Sequence, residues 1–299
     1  MSLKKIAFLS TDNLDGYFVW DNLLIAPFAQ QGIAVEVVSW HAQPVNWNEY
    51  DAVIVRSTWD YQTDADQFVN TLQQIDQSDT LLVNPLALLQ WNVSKWYLQE
   101  LEQQGVTIIP SVFYAGTNSA TIAAQFEHFG CDELIIKPLV SANSDNTFRL
   151  NQVALQDQQE QLDTLFEKTD CMVQPFINSV VNDGEYSLFY FNDEYSHTIK
   201  KVPKLGDFRV QEEHGGQLHS ITPTPSLRHT ADFVLSQLPH HSLYARIDLV
   251  HNEHAPSDTQ WQLMEVELIE PSLYFNMDDT SPERFVQATM AYCAAALKQ

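Results

Sequence analysis

The chain has 299 residues, of which 44% are hydrophobic and 18% charged, so it is long enough for two or three packed units and too apolar for a disordered chain. Its 39 acidic and 15 basic residues give a net charge of −24, which argues against binding to nucleic acid or an anionic membrane, since both need a basic face. A small anionic ligand is not excluded, because a few clustered Lys and Arg residues can bind it.

The cysteines and the N-terminus bear on the cellular location. Three cysteines lie far apart without a CxxC pair, which favours a reducing compartment and gives no zinc signature. The apolar run at the N-terminus is too short for a signal peptide, and no stretch of about 18 apolar residues occurs elsewhere. The sequence therefore predicts a soluble cytoplasmic protein.

The first part of the chain predicts an open α/β layer with a parallel sheet. Strands are expected at 4–10, 33–40 and 51–58, with a helix at about 19–31 between the first two. In such sheets, ligands bind beyond the carboxyl ends of the strands, and the run RSTWDY (56–61) follows the third strand at that place.

The remainder of the chain alternates between helical and extended patterns. After Asn84-Pro85, one helix is predicted over 86–105, with Lys95 inside it, and an extended run over 106–114. Further helices are expected at 121–130, 151–168 and from about 282, strands at 132–140 and 170–177, and hairpins at 184–202 and 242–269.

Two glutamates near the C-terminus form the strongest local pattern. Glu265 and Glu267 stand two apart in the apolar run LMEVELI, so in a strand both carboxylates share one face, with Met264 and Val266 on the other. We expect Leu263 on the glutamates' face and see no compensating lysine nearby in the sequence. A half-buried pair of carboxylates shifts its pKa values or binds a cation, so the pattern favours a metal site. The alternative is that the two glutamates lie on a solvent-exposed face of the strand.

Common nucleotide and hydrolase motifs are missing, since the sequence contains no GxGxxG, GxxxxGK[ST], GxSxG or HExxH. A different ordered set is present: Lys95, Lys137-Pro138, VQPFI (173–177), Gly184-Glu185, Lys200, Arg209, Asp248, Glu265 and Glu267. Its order and spacing over about residues 85–280 resemble the ATP-grasp superfamily, in particular its glutathione-synthetase-like branch. RSTWDY, ARIDLV and MEVELIEPSL look more specifically like the cycloserine-pathway cyclo-ligase type, which closes a ring from O-ureidoserine.

The resemblance implies an α/β fold, with α+β character in the ATP-grasp part. We expect a leading Rossmann-like domain over residues 1–88 and an ATP-grasp domain over residues 89–299, with a small lid at about 112–174. The implied reaction is an ATP-dependent carboxylate–amine ligation through an acyl phosphate, giving ADP and phosphate. An intramolecular cyclo-ligase and a non-catalytic nucleotide-binding module are the alternatives. The implied partners are small carboxylate and amine substrates, and a homodimer stays open.

The resemblance also implies a set of nucleotide contacts. Lys95 and Lys137 would bind phosphates, the backbones of Gln174 and Ile177 would pair with adenine, Glu185 would accept the ribose hydroxyls, and Ser141 would contact the cofactor at the start of the loop 141–148. The alternatives are exposed lysines, an ordinary buried strand and a solvated glutamate. Where many members have a Gly-rich loop, this chain has SANSDNTF, in which Asn can take left-handed conformations.

Metal, catalytic and substrate roles follow from the same resemblance. Asp248, Glu265 and Glu267 would hold two Mg²⁺ ions, for which Mn²⁺ can substitute. Arg209 and Lys200 would neutralise charge on the transferring phosphoryl group, unless they belong to a charged surface hairpin. The acceptor pocket would be formed by Arg56, Trp59, Asp60 and Arg246, with Tyr61 helping to shape it. A purely structural arginine is the alternative for Arg56 and Arg246.

Overall fold

The computed structural model describes residues 3–257 and 259–296, and its strands form three sheets. The first sheet contains β1 (Lys5–Ser10), β2 (Ala34–Ser39), β3 (Ala52–Ser57) and β4 (Leu81–Val83) in the order β2-β1-β3-β4. Every neighbouring pair is parallel, which confirms the predicted α/β layer. The helices of this unit are α1 (Ile25–Gln30) and α2 (Ala65–Asp76).

The helix α2 was not predicted from the sequence, because its exposed surface is rich in polar residues. Its buried side chains nevertheless include Phe68, Leu72 and Ile75, which are spaced by about one helical turn. The side chain of Asp64 caps its N-terminus by accepting a hydrogen bond from the backbone of Gln67 at 3.1 Å.

The single helix predicted over 86–105 is wrong, because two helices, α3 (Leu86–Asn92) and α4 (Tyr97–Gln103), occupy that stretch. The backbone N–H of Lys95 donates to the carbonyl of Leu139 at 2.9 Å, a partner outside both helices. This contact breaks the helical hydrogen-bond series. Lys95 therefore lies in the turn between α3 and α4, and this hydrogen bond holds its backbone in place.

The second sheet is antiparallel and contains β5 (Val112–Ala115), β6 (Leu134–Pro138), β7 (Phe148–Leu150) and β8 (Asp170–Pro175), in the order β5-β8-β6-β7. Its helices are α5 (Ser119–Phe129), α6 (Gln152–Asp157) and α7 (Gln159–Phe166). The helix predicted over 151–168 is thus divided at Gln158. Together these elements enclose a small apolar core that includes Ile122, Ile136 and Phe166.

The third sheet is also antiparallel, with strands in the order β11-β10-β9-β12-β13. The strands are β9 (Glu185–Phe191), β10 (Glu194–Val202), β11 (Gln217–Ser220), β12 (Tyr244–His251) and β13 (Trp261–Glu267). The helices of this part are α8 (Ser179–Asn182), α9 (Pro225–Ser236) and α10 (Ser281–Ala296). Both predicted hairpins are present, whereas β11 and α9 were not predicted. Of the helices in the described chain, none combines the length and the apolar character that crossing a membrane requires.

The first and third sheets share one hydrophobic core together with α10. Phe28 packs edge-to-face on Phe285 with ring centroids 6.5 Å apart. The hydroxyl of Tyr244 donates to the carbonyls of Val55 and Ile269, at 2.7 and 2.9 Å. These contacts fix the end of β3 against the segment that follows β13. The division at residue 88 stays a prediction.

Candidate active site

One cavity lies where the three sheets meet. Trp59 comes from the first unit, Lys137 from the second sheet, and Arg246 and Glu265 from the third. The predicted site residues that line this cavity are Trp59, Lys95, Lys137, Ser141, Gln174, Ile177, Glu185, Arg209, Arg246, Glu265 and Glu267. The fold thus brings together side chains that are up to about 200 residues apart in the chain (for example Trp59 and Glu265).

A β-bulge in β13 determines which side chains face the cavity. Asp248 pairs with Glu265, but Leu249 pairs with Leu263, so Met264 is an extra residue in the strand. Leu263 is therefore fully buried in the core, whereas Met264 lines the cavity beside Glu265. Leu263 was predicted on the same face of the strand as the two glutamates, and Met264 on the opposite face. Both predictions are wrong, because strict alternation of side chains fails at a bulge.

Glu265 is paired with a lysine. Lys95 Nζ lies 2.9 Å from Glu265 Oε1 and also donates to the carbonyl and hydroxyl of Ser141, at 2.9 and 3.2 Å. Burial alone would raise the pKa of Glu265, but the charges of Lys95 and Lys137 lower that pKa below its ordinary value. The expectation of glutamates without compensating cations is therefore wrong. Lys95 contacts Glu265 from the turn between α3 and α4. The spacing of residues in the sequence does not reveal this contact.

Glu267 and Asp248 share an arginine. The guanidinium of Arg246 binds Asp248 at 3.0 Å and also contacts Glu267 Oε1. Burial, together with the nearby charges of Asp248 and Glu265, raises the pKa of Glu267 to about 7 despite the charge of Arg246. The pKa of Asp248 is lowered, because Arg246 and Lys201 outweigh its burial. Arg246, predicted to bind substrate, is thus held by two acids of the third sheet.

The lysine that faces the cavity from β10 is Lys201, and Lys200 faces away from it. Lys201 is 3% exposed, forms an ion pair with Glu185 and lies 3.5 Å from Asp248. Lys200 instead pairs with Asp183 and is not part of the cavity wall. The assignment of Lys200 is therefore corrected, because neighbouring residues in a strand point to opposite faces.

Lys137 is the cavity lysine without an anionic partner. No described residue accepts a hydrogen bond from its ammonium or forms an ion pair with it, although Lys137 lines the cavity. Burial lowers its pKa. An unpaired cation in such a position is suited to bind an anion that enters from solution.

The predicted adenine hinge lies at the end of β8. Gln174 is 5% exposed, and its side-chain amide donates to the hydroxyl of Ser111 at 2.8 Å. The carbonyl of Ile177 accepts a hydrogen bond from the N–H of Val180 at 3.0 Å, so it keeps one lone pair for another donor. Glu185 begins the next strand and faces the same cavity.

The glycine-free loop 141–148 lies along one edge of the cavity. Asn143, Ser144 and Asn146 have positive φ angles of 50–60°, so the loop turns through left-handed residues in the way expected for Asn. Ser144 Oγ accepts a hydrogen bond from Gln211 at 2.9 Å, and the carboxylate of Asp145 accepts one from Gln62 at 3.1 Å. The loop therefore contacts both the first unit and the segment that contains Arg209.

Arg209 lines the cavity in the segment 206–216. Its guanidinium donates to Asp207 at 2.7 Å, and these hydrogen bonds hold the pKa of Asp207 well below its usual range. The Gly215-Gly216 pair has a steric reason, since a Cβ on Gly216 would lie 2.0 Å from the carbonyl oxygen of Val210. The catalytic role of Arg209 stays a prediction.

Two of the predicted substrate residues, Arg56 and Asp60, do not line the cavity. Arg56 is 1% exposed, pairs with Asp21 at 2.9 Å and donates to the carbonyl of Pro271 at 3.0 Å. Asp60 accepts hydrogen bonds from Trp40 and Thr11 and lies 2.9 Å from His41. Both predicted substrate roles are therefore corrected to structural ones, because Arg56 is held by Asp21 and Pro271, and Asp60 is held by Trp40, Thr11 and His41.

Trp59 does line the cavity, and its indole N–H donates to the carbonyl of Glu270 at 2.8 Å. Tyr61, which was expected to help shape the pocket, lines the cavity too. Tyr17, Lys201 and Glu270 also line it but were not assigned to the site from the sequence. For Lys201 a signal was present, since it adjoins Lys200, which was assigned.

The acidic side chains of the site are not arranged as a preformed set of metal ligands. Within residues 3–257 and 259–296, no three His, Cys, Asp or Glu residues are placed so that they could hold a metal ion. Asp248 is 3% exposed, and its two oxygens contact Arg246, Ser187 and Lys201. Glu265 and Glu267 both line the cavity, and the closest contact of each with its cation is through Oε1, so their carboxylates can also supply oxygen ligands to a hard metal ion.

Comparison with known proteins agrees with this arrangement. Residues 102–259 match the family described as "Prokaryotic glutathione synthetase, ATP-grasp domain", and residues 6–84 match "D-cycloserine synthetase DcsG, N-terminal domain". The chain is 28% identical over 275 residues to "Cycloserine biosynthesis protein DcsG" from Streptomyces lavendulae, covering 86% of this chain and 88% of the relative.

Solved structures show the same fold. The crystal structure of D-cycloserine synthetase DcsG superimposes with a TM-score of 0.84 at 24% identity and covers 97% of this chain and 99% of that one. D-alanine–D-alanine ligase from Bacillus anthracis superimposes with a TM-score of 0.69 at 12% identity and covers 98% of each chain. The predicted fold and the ATP-dependent carboxylate–amine ligase class are confirmed. Because its family match spans more than half of the chain, this protein belongs to the prokaryotic glutathione-synthetase family of ATP-grasp ligases.

Proposed function

We propose that the chain cleaves ATP to ADP and phosphate while it activates the carboxylate of a small amino-acid-like substrate. The γ-phosphoryl group is transferred to a carboxylate oxygen and ADP leaves. A nitrogen then attacks the acyl carbon, the bond to the phosphate oxygen breaks, and the nitrogen loses a proton. The observation that carries this proposal is one cavity that is lined both by the lysines Lys95, Lys137 and Lys201 and by the Glu265–Glu267 pair.

The chain's own residues supply position and charge. Lys137 and Lys95 bind phosphate oxygens, and Lys201 and Arg209 neutralise charge on the group being transferred. The backbone atoms of Gln174 and Ile177, at and just after the end of β8, form hydrogen bonds with the adenine base of ATP. Lys95 must break its ion pair with Glu265 when it binds a phosphate, which offsets part of the free energy gained. Lys137 has no such partner among the described residues, so Lys137 contributes more to nucleotide affinity.

Glu265 and Glu267 fit a magnesium site, because both line the cavity from one strand and Mg²⁺ takes carboxylate oxygens as ligands. When bound, Mg²⁺ neutralises the charge of the phosphates. Two ions, or Mn²⁺ in their place, suit the same oxygen donors. The contacts of Asp248 favour an indirect role, in which it orients Arg246 and Lys201 instead of binding metal directly.

Ring closure within one substrate is the specific form of this reaction that we propose. It is favoured by the match of both parts of the chain to DcsG, a protein named for cycloserine biosynthesis. The substrate class would then be O-ureidoserine, in which the attacking nitrogen and the activated carboxylate belong to one molecule.

Phosphate release from Mg²⁺-ATP tests the proposal, measured with O-ureidoserine alone and with pairs of amino acids. We expect release with O-ureidoserine alone, and none from the Glu265→Gln/Glu267→Gln double variant. Release that needs two different amino acids would favour intermolecular ligation. Binding of Mg²⁺-ADP without turnover on any acceptor would favour a nucleotide-binding module and contradict the proposal, as would full turnover by the double variant.

A further inference from the structure

Glu270 lies in the cavity at the side contributed by the first unit. Its backbone is fixed, because its carbonyl accepts a hydrogen bond from Trp59 at 2.8 Å and the carbonyl of the next residue, Pro271, accepts one from Arg56 at 3.0 Å. Both donors come from the end of β3 and the segment after it. The position of Glu270 is therefore determined by contacts with the first unit.

The carboxylate of Glu270 differs from the other acids of the third sheet that line the cavity. Glu185, Glu265 and Glu267 each form an ion pair with a lysine or arginine. No described residue donates a hydrogen bond to the Glu270 carboxylate or pairs with it, although the carboxylate lines the cavity. Leaving a desolvated carboxylate without a partner costs free energy, and such groups are concentrated at functional sites.

The surroundings of this carboxylate favour a cation. Tyr17 and Trp59 line the same cavity with ring centroids 5.1 Å apart, and aromatic faces attract ammonium groups. The neighbouring arginine, Arg56, is fully buried on Asp21. This side of the cavity therefore offers a carboxylate and aromatic rings, and its arginine is not available to a substrate carboxylate.

We propose that Glu270 binds the ammonium group of the substrate, and that the protein therefore selects zwitterionic amino acids over the corresponding acids without the amino group. This inference rests on the proposed function, because it assigns the substrate's cationic end within the same cavity. In an α-amino acid the ammonium and the carboxylate are attached to one carbon atom. Holding the ammonium at Glu270 thus limits the positions that the reacting carboxylate can take.

The test is a binding measurement by titration calorimetry with two probes, O-ureidoserine and its analogue with hydrogen in place of the α-amino group. Each probe is titrated with Mg²⁺ and a non-hydrolysable ATP analogue present. We expect the wild-type protein to bind the amino form at least about 10-fold more tightly, as for a hydrogen bond between charged groups. In Glu270→Gln this ratio should fall close to one, while the affinity for Mg²⁺-ADP stays unchanged.

Glu253→Gln is the matched control, because the side chain of Glu253 is 75% exposed and lies outside the cavity wall. This variant should keep the wild-type ratio. The inference is overturned if Glu270→Gln keeps that ratio, if it weakens both probes equally, or if the wild-type protein binds the two probes equally or binds neither. Discrimination by the ammonium group without phosphate release would support Glu270 and count against the proposed function, so the two failures can be told apart.

Discussion

Lys95 Nζ lies 2.9 Å from Glu265 Oε1, so a cation proposed for phosphate and an acid proposed for metal neutralise one another. We expect Lys95→Met to separate the two roles. Without the lysine, the acidic wall should bind Mn²⁺ more tightly in the absence of nucleotide, whereas Mg²⁺-ADP should bind about 10-fold more weakly. Electron paramagnetic resonance of free Mn²⁺ and calorimetry with ADP measure the two effects. Weaker Mn²⁺ binding in Lys95→Met would contradict the assignment of Glu265.

Neighbouring lysines of β10 provide a matched pair of variants. Lys201 faces the cavity and pairs with Glu185, whereas Lys200 pairs with Asp183 on the other side. We expect Lys201→Met to lower kcat by about 100-fold or more, the range observed when one group that stabilises transition-state charge is removed. Lys200→Met should keep kcat within about 3-fold of the wild-type value, because Lys200 pairs with Asp183 and does not line the cavity. Steady-state phosphate release measures kcat for both variants. A large loss of kcat in Lys200→Met with little loss in Lys201→Met would instead support the catalytic role predicted for Lys200.

Arg56 should act on stability and not on substrate binding. Arg56→Met leaves the buried carboxylate of Asp21 without its cation, which typically costs about 3–5 kcal/mol of unfolding free energy. The double variant Arg56→Met/Asp21→Asn should lose much less than the sum of the two single variants. Urea denaturation of all four proteins measures this coupling. Additive losses, together with a raised KM for the substrate, would instead support the substrate role predicted from the sequence.

The carboxyl group of Glu270 should make stability depend on pH. In the substrate-free protein, burial and the nearby charge of Glu267 raise the pKa of Glu270 to about 8, and an ammonium group bound beside it would lower this pKa again. The folded protein therefore holds a proton that the unfolded chain releases at its lower, ordinary pKa. This contribution is fully present below that ordinary pKa and is lost as the pH rises through about 8.

Glu270→Gln removes the contribution. From pH 5 to pH 8, we expect the wild-type unfolding free energy to fall by about 1 kcal/mol or more relative to that of the variant, since one pKa unit corresponds to about 1.4 kcal/mol. Urea denaturation at matched ionic strength measures the difference, with Glu253→Gln as the control that should follow the wild type. Equal pH slopes for wild type and Glu270→Gln would refute the shifted pKa.

Local patterns in the sequence predict much of the fold. Three of the four parallel strands of the first unit and the two hairpins follow from apolar runs bounded by turn residues, and they are present, whereas the short β4 was not predicted. The break before α4 depends on the carbonyl of Leu139, a distant partner that the helical pattern around Lys95 does not reveal. The bulge at Met264 similarly depends on pairing with another strand, so alternation alone misplaced two side chains.

The site was predictable where a residue type and its position were enough. Lys137, Glu265 and Glu267 line the cavity as expected. Arg56 was assigned to substrate because it ends a strand, but its buried partner Asp21 lies 35 residues earlier and only the fold brings them together. Glu270 was missed because a lone glutamate beside a proline has no distinctive spacing.

The central claim is that the cavity transfers phosphate to a substrate carboxylate, and isotope transfer tests it most directly. O-ureidoserine carrying ¹⁸O in its carboxylate is turned over with Mg²⁺-ATP, and the released phosphate is analysed by mass spectrometry. An acyl phosphate predicts one ¹⁸O atom in each phosphate formed, because the carboxylate oxygen leaves with the phosphoryl group. Release of phosphate that contains no ¹⁸O from the substrate would contradict the account.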